Sequence, residues 1–196
     1  MKTVLTVLAL VCSAAALRIP TTSTTRRAAM GGVAAATLGL VTPQQASAGP
    51  GLKPCPKGAN NCFSSADEAS KVATWTWPKS MERAAAIADL KAALETYPQA
   101  GQAGVDLGGW AVVDDKLTDT GYGRAEFKSG IGNFAKFFNG GKPFIDDLEF
   151  SVEDATVCVR SSSRVGDSDF GVNGKRLNFI AAELTKRGWD AKAIAL

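Results

Sequence analysis

The chain contains no histidine. That absence removes the usual base of Ser-His-Asp and Cys-His catalysis and every histidine-ligated metal centre. No GxxxxGK[ST] and no GxGxxG follows a strand-like segment, so there is no phosphate-cradling loop. No acidic residue occurs in the first 48 positions, although 19 occur after them. Four of the 22 basic residues (Lys2, Arg18, Arg26 and Arg27) fall in that acid-free part. The remainder carries 18 basic against 19 acidic residues, a charge of −1, while the whole chain carries +3. A nearly neutral body gives no electrostatic case for nucleic acid, whose binding needs a basic face. The N-terminal apolar run is too short for a comfortable bilayer crossing.

What is present begins with a leader. Residues 1–16, "MKTVLTVLALVCSAAA", have the layout of a signal peptide: Lys2, an apolar run from Val4 to Val11, and small residues from Ser13 to Ala16. Residues 17–48 continue with a basic, Ser/Thr-rich, acid-free stretch of transit-peptide composition. It passes into Arg26-Arg27, a mildly apolar segment and the cleavage-like Ala46-Ser47-Ala48. Three addresses in series resemble the leaders of thylakoid-lumen proteins in algae with a secondary red plastid. A bacterial twin-arginine protein would not need the extra signal peptide in front. We expect a plastid thylakoid-lumen protein, one mature domain over residues 49–196, and at most a peripheral relation to the membrane.

The mature part opens with a Gly- and Pro-containing arm, "GPGLKPCPKGANNCFSS". Residues 81–97 have Ile87, Leu90, Leu94 and Tyr97 at helical spacing, with Ser80 as a cap and Pro98 as a stop. Alternating segments at 109–116, 121–129, 144–153 and 155–164 read as strands. Residues 174–188 form a second helix with Leu177, Ile180, Ala181 and Leu184 on its apolar face, Asn173 as cap and Gly188 as stop. The order predicts an α+β fold: an antiparallel sheet of about four strands with an N-terminal and a C-terminal helix packed on one face.

The stretches "KPCPKGANNCFSS", "AEFKS", "FIDDLEF" and "VRSSSRVGDSDFGVNGKR" resemble the successive motifs of the domain-of-unknown-function 1499 family, from about Lys53 onwards. The resemblance implies a fold and no reaction. A Gly-rich aromatic loop, 130–143, is longer here than the family pattern.

Individual residues then divide by chemistry. Gly166-Asp167-Ser168 superficially resembles the nucleophile block of some lipases, but it comes late and has no histidine base, so no catalytic residue, metal or cofactor is assigned. Cys55 and Cys62 are too far apart for a CxxC redox pair; they close as a disulfide that pins the arm or stay as thiols. Cys158 reads as a small buried strand residue. In 144–153, Phe144, Asp146, Leu148, Phe150 and Val152 share one face, so Asp146 points at the core side and needs a partner or a raised pKa. Arg160 and Arg164 are the candidate partners. Much of 161–176 suits a turn that ends a strand and starts a helix. Asp146, Arg160, Arg164, Asp169, Asn173 and Arg176, with Lys175 near, form a candidate polar or anion site. Phe134, Phe137 and Phe138 form a candidate docking face for a photosynthetic membrane complex.

Overall fold

The computed structural model describes residues 51–66, 72–100, 106–130, 137 and 139–196. In chain order these form β1 (Cys62–Ser64), β2 (Trp75–Thr76), α1 (Arg83–Glu95), β3 (Trp110–Lys116), β4 (Tyr122–Lys128), β5 (Ile145–Val152), β6 (Thr156–Ser163) and α2 (Val172–Lys186). The strands make one sheet in the order β1-β6-β5-β4-β3, with β2 also pairing β6, and every pairing is antiparallel. The α+β class holds. The sheet has six strands rather than four, because β1 and β2 lie in stretches too short to show a period of two. They are recruited by the free edge of β6, whose Ser162 faces Cys62 and whose Val157 faces Trp75.

The long strands follow their side-chain alternation. On β5, Asp146, Leu148, Phe150 and Val152 are buried, while Ile145, Asp147 and Glu149 are partly exposed. The β3–β4 connection turns at Gly121, with φ of +80°. A Cβ there would meet the Val152 carbonyl oxygen at 2.5 Å, so the turn takes glycine. Val112 and Asp114 flank a bulge on β3, the strand at the sheet's other edge.

Ala86, Ile87, Leu90, Ala93 and Leu94 of α1 join one apolar core with Leu177, Ile180, Ala181 and Leu184 of α2 and with Phe127, Leu148, Phe150, Val157 and Val159 of the sheet. Each such large side chain contributes about 1.5–3 kcal/mol on burial. Trp77 and Trp189 meet edge-on at 5.7 Å, and Thr76 pairs with Asp190, closing the C-terminal tail onto β2. Among the described residues, no helix is long and apolar enough to cross a membrane.

The helix starts differ from the sequence expectation. The cap of α1 is Glu82, in extended conformation and making no side-chain cap bond, rather than Ser80. The cap of α2 is Gly171, with φ of +73°, rather than Asn173. Asp169 does the capping from outside: its carboxylate accepts the N–H of Gly171 and of Asn173, both at 2.9 Å. Asn173 is freed to face the core.

A disulfide joins Cys55 to Cys62. It closes a loop with a sequence separation of 7, which in the chain-entropy treatment stabilises by about 2–3 kcal/mol. Cys55→Ser/Cys62→Ser should lose about that much unfolding free energy in urea. An unchanged midpoint would show that the arm is held by its other contacts alone.

Candidate functional site

The polar motif that follows β6 is divided between two faces of the sheet. Antiparallel register sets the division. Asp146 lies opposite Ser163 and Leu148 opposite Ser161, whereas Asp147 lies opposite Ser162 and Glu149 opposite Arg160. Residues directly opposite share a face, so Asp146 is on the face of Ser161 and Ser163, and Arg160 is on the other.

On the core side the hub is Arg176, whose side chain is 0% exposed. A guanidinium stays charged in proteins, so full burial demands carboxylates at its hydrogens. Its Nη2 donates to Asp106 Oδ1 at 2.8 Å and Oδ2 at 2.7 Å, and to Asp146 Oδ2 at 3.0 Å. Its Nε reaches Asp106 Oδ2 at 3.2 Å. Its Nη1 donates to Ser161 Oγ at 3.0 Å and to Asn173 Oδ1 at 2.8 Å. Beneath it lies the Phe127 ring, with the guanidinium carbon 4.0 Å from the centroid. Tyr97 donates its hydroxyl to Asp106 Oδ2 at 2.8 Å, and the same ring packs edge-on against Phe127 and Phe179.

Asn173 extends the network. It accepts from Ser161 at 2.6 Å and donates through Nδ2 to Asp169 at 2.8 Å, Ser163 Oγ at 3.1 Å and the Asn61 carbonyl at 3.3 Å. Asn61 in turn donates to the Gly166 carbonyl at 2.6 Å. The disulfide loop, the strand end, the turn and the helix start are therefore one hydrogen-bonded body.

Burial pushes the Asp146 carboxyl above its ordinary value, against the pull of Arg176 and a bond from Ser163. Burial, then the Asp106 charge, push the Tyr97 phenol up. Burial works against the charge of Arg176, but Asp106 and Asp146 outweigh it and its pKa is raised.

The opposite face carries a ladder of ion pairs. Arg164 grips Asp147 through Nε and Nη2, each at 2.8 Å, and also reaches Glu126. Arg124 bridges Asp147 at 2.9 Å and Glu126 at 3.2 Å. Arg160 pairs with Glu149 at 2.6 Å, and Tyr122 donates to the same carboxylate at 2.9 Å. Burial would raise Asp147, but the bonds and charges of Arg164 and then Arg124 hold it below its ordinary value.

The six candidate residues are thus not gathered round one pocket. Asp146, Asp169, Asn173 and Arg176 are buried together; Arg160 and Arg164 sit in the ladder. The expected pairing of Asp146 with Arg160 or Arg164 is corrected to Arg176, because one residue of register decides the face. Asp106 carries no signal in the sequence: it is one acid in the glycine-rich "GVDLGG", with no periodicity to orient it. A signal for its partner did exist, since Asn173 and Arg176 precede Leu177 and Ile180 by four residues and so lie on the apolar face of α2.

Open space lies beside this network. One cleft of about 440 Å³ runs between the disulfide loop (56–61) and residues 163–167. A second, of about 330 Å³, is lined by Asn139, Lys142, Pro143, Ile145, Arg164 and Val165. A pocket of about 110 Å³ lies between α1 and β3–β4, over Leu90, Leu94, Leu117 and Phe150. Of the six candidates only Arg164 lines any of these spaces. Phe137 is 77% exposed; Phe134 and Phe138 lie outside the described residues. Among the described residues, no group of three or more histidine, cysteine or carboxylate side chains is placed to hold a metal.

The sequence that builds this fold matches a known family. The profile described as "Protein of unknown function (DUF1499)" covers residues 51–184. The chain belongs to that family. No curated protein and no solved structure matches it.

Two neighbouring carboxylates on β5 should titrate with opposite sign. Asp146 holds its proton more tightly when folded, so its contribution is full below the ordinary 3.8 and is lost as pH rises through the raised value. Asp147 contributes above the ordinary 3.8, and loses that as pH falls through the depressed value. In urea unfolding across the acid-to-neutral range, the advantage of wild type over Asp146→Asn should shrink with rising pH, and that over Asp147→Asn should grow. Parallel profiles would contradict this assignment.

Proposed function

We propose that the protein is a non-enzymatic accessory or assembly protein of the plastid thylakoid lumen, docking on the lumenal side of a photosynthetic membrane complex. The stacked leader, residues 1–16 and 17–48, supports the location. The wiring of the motif supports a scaffold reading, because its buried carboxylates, amide and guanidinium bind one another rather than a cavity. In this reading both helices cover one face of the sheet and the ion-pair ladder occupies the other.

One observation carries the docking site. The end of the aromatic loop meets the 161–176 turn: Asn139, Lys142 and Pro143 share a cleft with Arg164 and Val165, and Arg164 N–H donates to the Ile145 carbonyl at 3.0 Å. Large apolar side chains stand exposed on these two segments: Phe137 at 77%, Val165 at 43% and Phe170 at 66%. Phe170 adopts φ of +56°, a conformation that costs a non-glycine residue about 1–3 kcal/mol. An aromatic held out in water at that cost fits a surface that meets a partner.

A second reading, a small-anion binding protein or weak enzyme with its pocket at the sheet edge, draws on the polar cleft of about 440 Å³. The test separates them. Tagged protein should capture a stoichiometric photosystem or cytochrome complex from solubilised thylakoids, and Phe134→Ser/Phe137→Ser/Phe138→Ser should abolish capture. Migration as a lone species in every native gel and crosslink would overturn docking and leave the second reading.

A further inference from the structure

The two clefts beside the turn are neighbours, since Arg164 and Val165 line both. Their linings differ. The larger presents Lys57, Asn60, Asn61, Ser163 and Asp167, with Pro56 and Ala59 among them. The smaller presents Pro143, Ile145 and Val165 beside Lys142. A ligand that fills both needs a polar group and an aliphatic group a few bonds apart.

Charge decides the sign of the polar group. Arg164 is already neutralised by Asp147 and Glu126, so it serves as wall rather than as spare cation. Lys57 and Lys142 form no ion pair among the described residues, and Asp167 is the acid opposing them. Over the two clefts together two lysines face one acid, and that surplus favours an anion. Around it, the backbone N–H groups of Gly58, Val165, Gly166 and Asp167 make no backbone hydrogen bond among the described residues. A Cβ built on Gly58 or Gly166 would meet nothing within 4 Å, so both turns stand open. Both walls are rigid: the Cys55–Cys62 disulfide closes one, and Asn61 ties it to the other through the Gly166 carbonyl and the N–H of Ser163. Rigid walls reduce the ordering cost of binding.

We propose that this double cleft binds the C-terminal residue of a partner polypeptide, its α-carboxylate beside Lys57 and the open turns and its aliphatic side chain against Pro143, Ile145 and Val165. An α-carboxylate and a branched side chain share one carbon, which gives the close spacing that the common wall demands. An Asp or Glu side chain would leave the aliphatic cleft empty. Capture of chain-end carboxylates by main-chain amides is an established mode of peptide recognition. The proposal rests on the docking reading above and names what is gripped.

Purified protein should be titrated with a short N-acetylated peptide ending in leucine, with its C-terminal amide, and with isovalerate as a free small acid, by calorimetry or NMR. The free-acid peptide should bind about tenfold or more tighter than the amide. Lys57→Glu and Val165→Asp should each weaken it by a similar factor, with unchanged unfolding midpoints, and Lys192→Glu should not. Equal binding of acid and amide, or none at millimolar peptide, would overturn the proposal. Isovalerate binding as tightly as the peptide would overturn the chain-end assignment too. If the thylakoid complex is still captured and still lost in the phenylalanine variant, while the peptide neither binds nor competes, docking stands and the chain-end assignment falls.

Discussion

A guanidinium sealed from water is the constraint on which this fold depends. Arg176 cannot shed its charge, so each element that approaches it must bring an acceptor or a surface. The chain after α1 brings Asp106, β5 brings Asp146, β6 brings Ser161, α2 brings Asn173, and β4 brings the face of Phe127. Removing one partner from a buried charge costs about 3–5 kcal/mol, of the order of a whole domain's stability. The two carboxylates exceed the one guanidinium: burial leaves Asp146 with a raised pKa, and Asp106 takes a hydroxyl from Tyr97. The hub thereby fixes how the helix, the loop and the strands meet, which apolar packing alone specifies less sharply.

The sheet keeps its charges apart by parity. Adjacent aspartates on β5 point to opposite faces, and each meets a different arginine under a different dielectric. Asp147 sits among Arg124, Arg164 and Glu126 in a partly exposed quartet, where single pairs are worth little and the network as a whole steadies the strands. Asp146 sits in the interior, where loss of its partner would be costly. A motif that reads as one polar cluster along the chain is two structures back to back.

Strong periodicity made the helices and long strands legible. Ile87, Leu90 and Leu94 mark α1, and Leu148, Phe150 and Val152 mark the inward face of β5. The short strands carried no such signal: Cys62–Ser64 and Trp75–Thr76 exist because β6 offers an unpaired edge. The inward direction of Asp146 was also readable, since alternation fixes it. Its partner was not, because the choice between Arg160, Arg164 and Arg176 depends on cross-strand register and on the roll of α2. The rotation of α2 could have been read from Asn173 and Arg176 on its apolar side. Asp106 could not, as a loop acid gains meaning only from what the tertiary fold brings to it.

The family motif is architecture that ties the disulfide loop, the turn and the start of α2 into one hydrogen-bonded body. The disulfide loop and the turn are joined through Asn61, so the open clefts inherit their shape from the buried network behind them. The most direct test is a double-mutant cycle on the hub, with Arg176→Met, Asp106→Asn and the pair, measured by equilibrium unfolding. Each single change should cost about 3–5 kcal/mol, and the pair should cost less than their sum by more than about 2 kcal/mol. Single costs below about 1 kcal/mol that simply add would contradict it, and would return the motif to the surface chemistry its sequence first suggests.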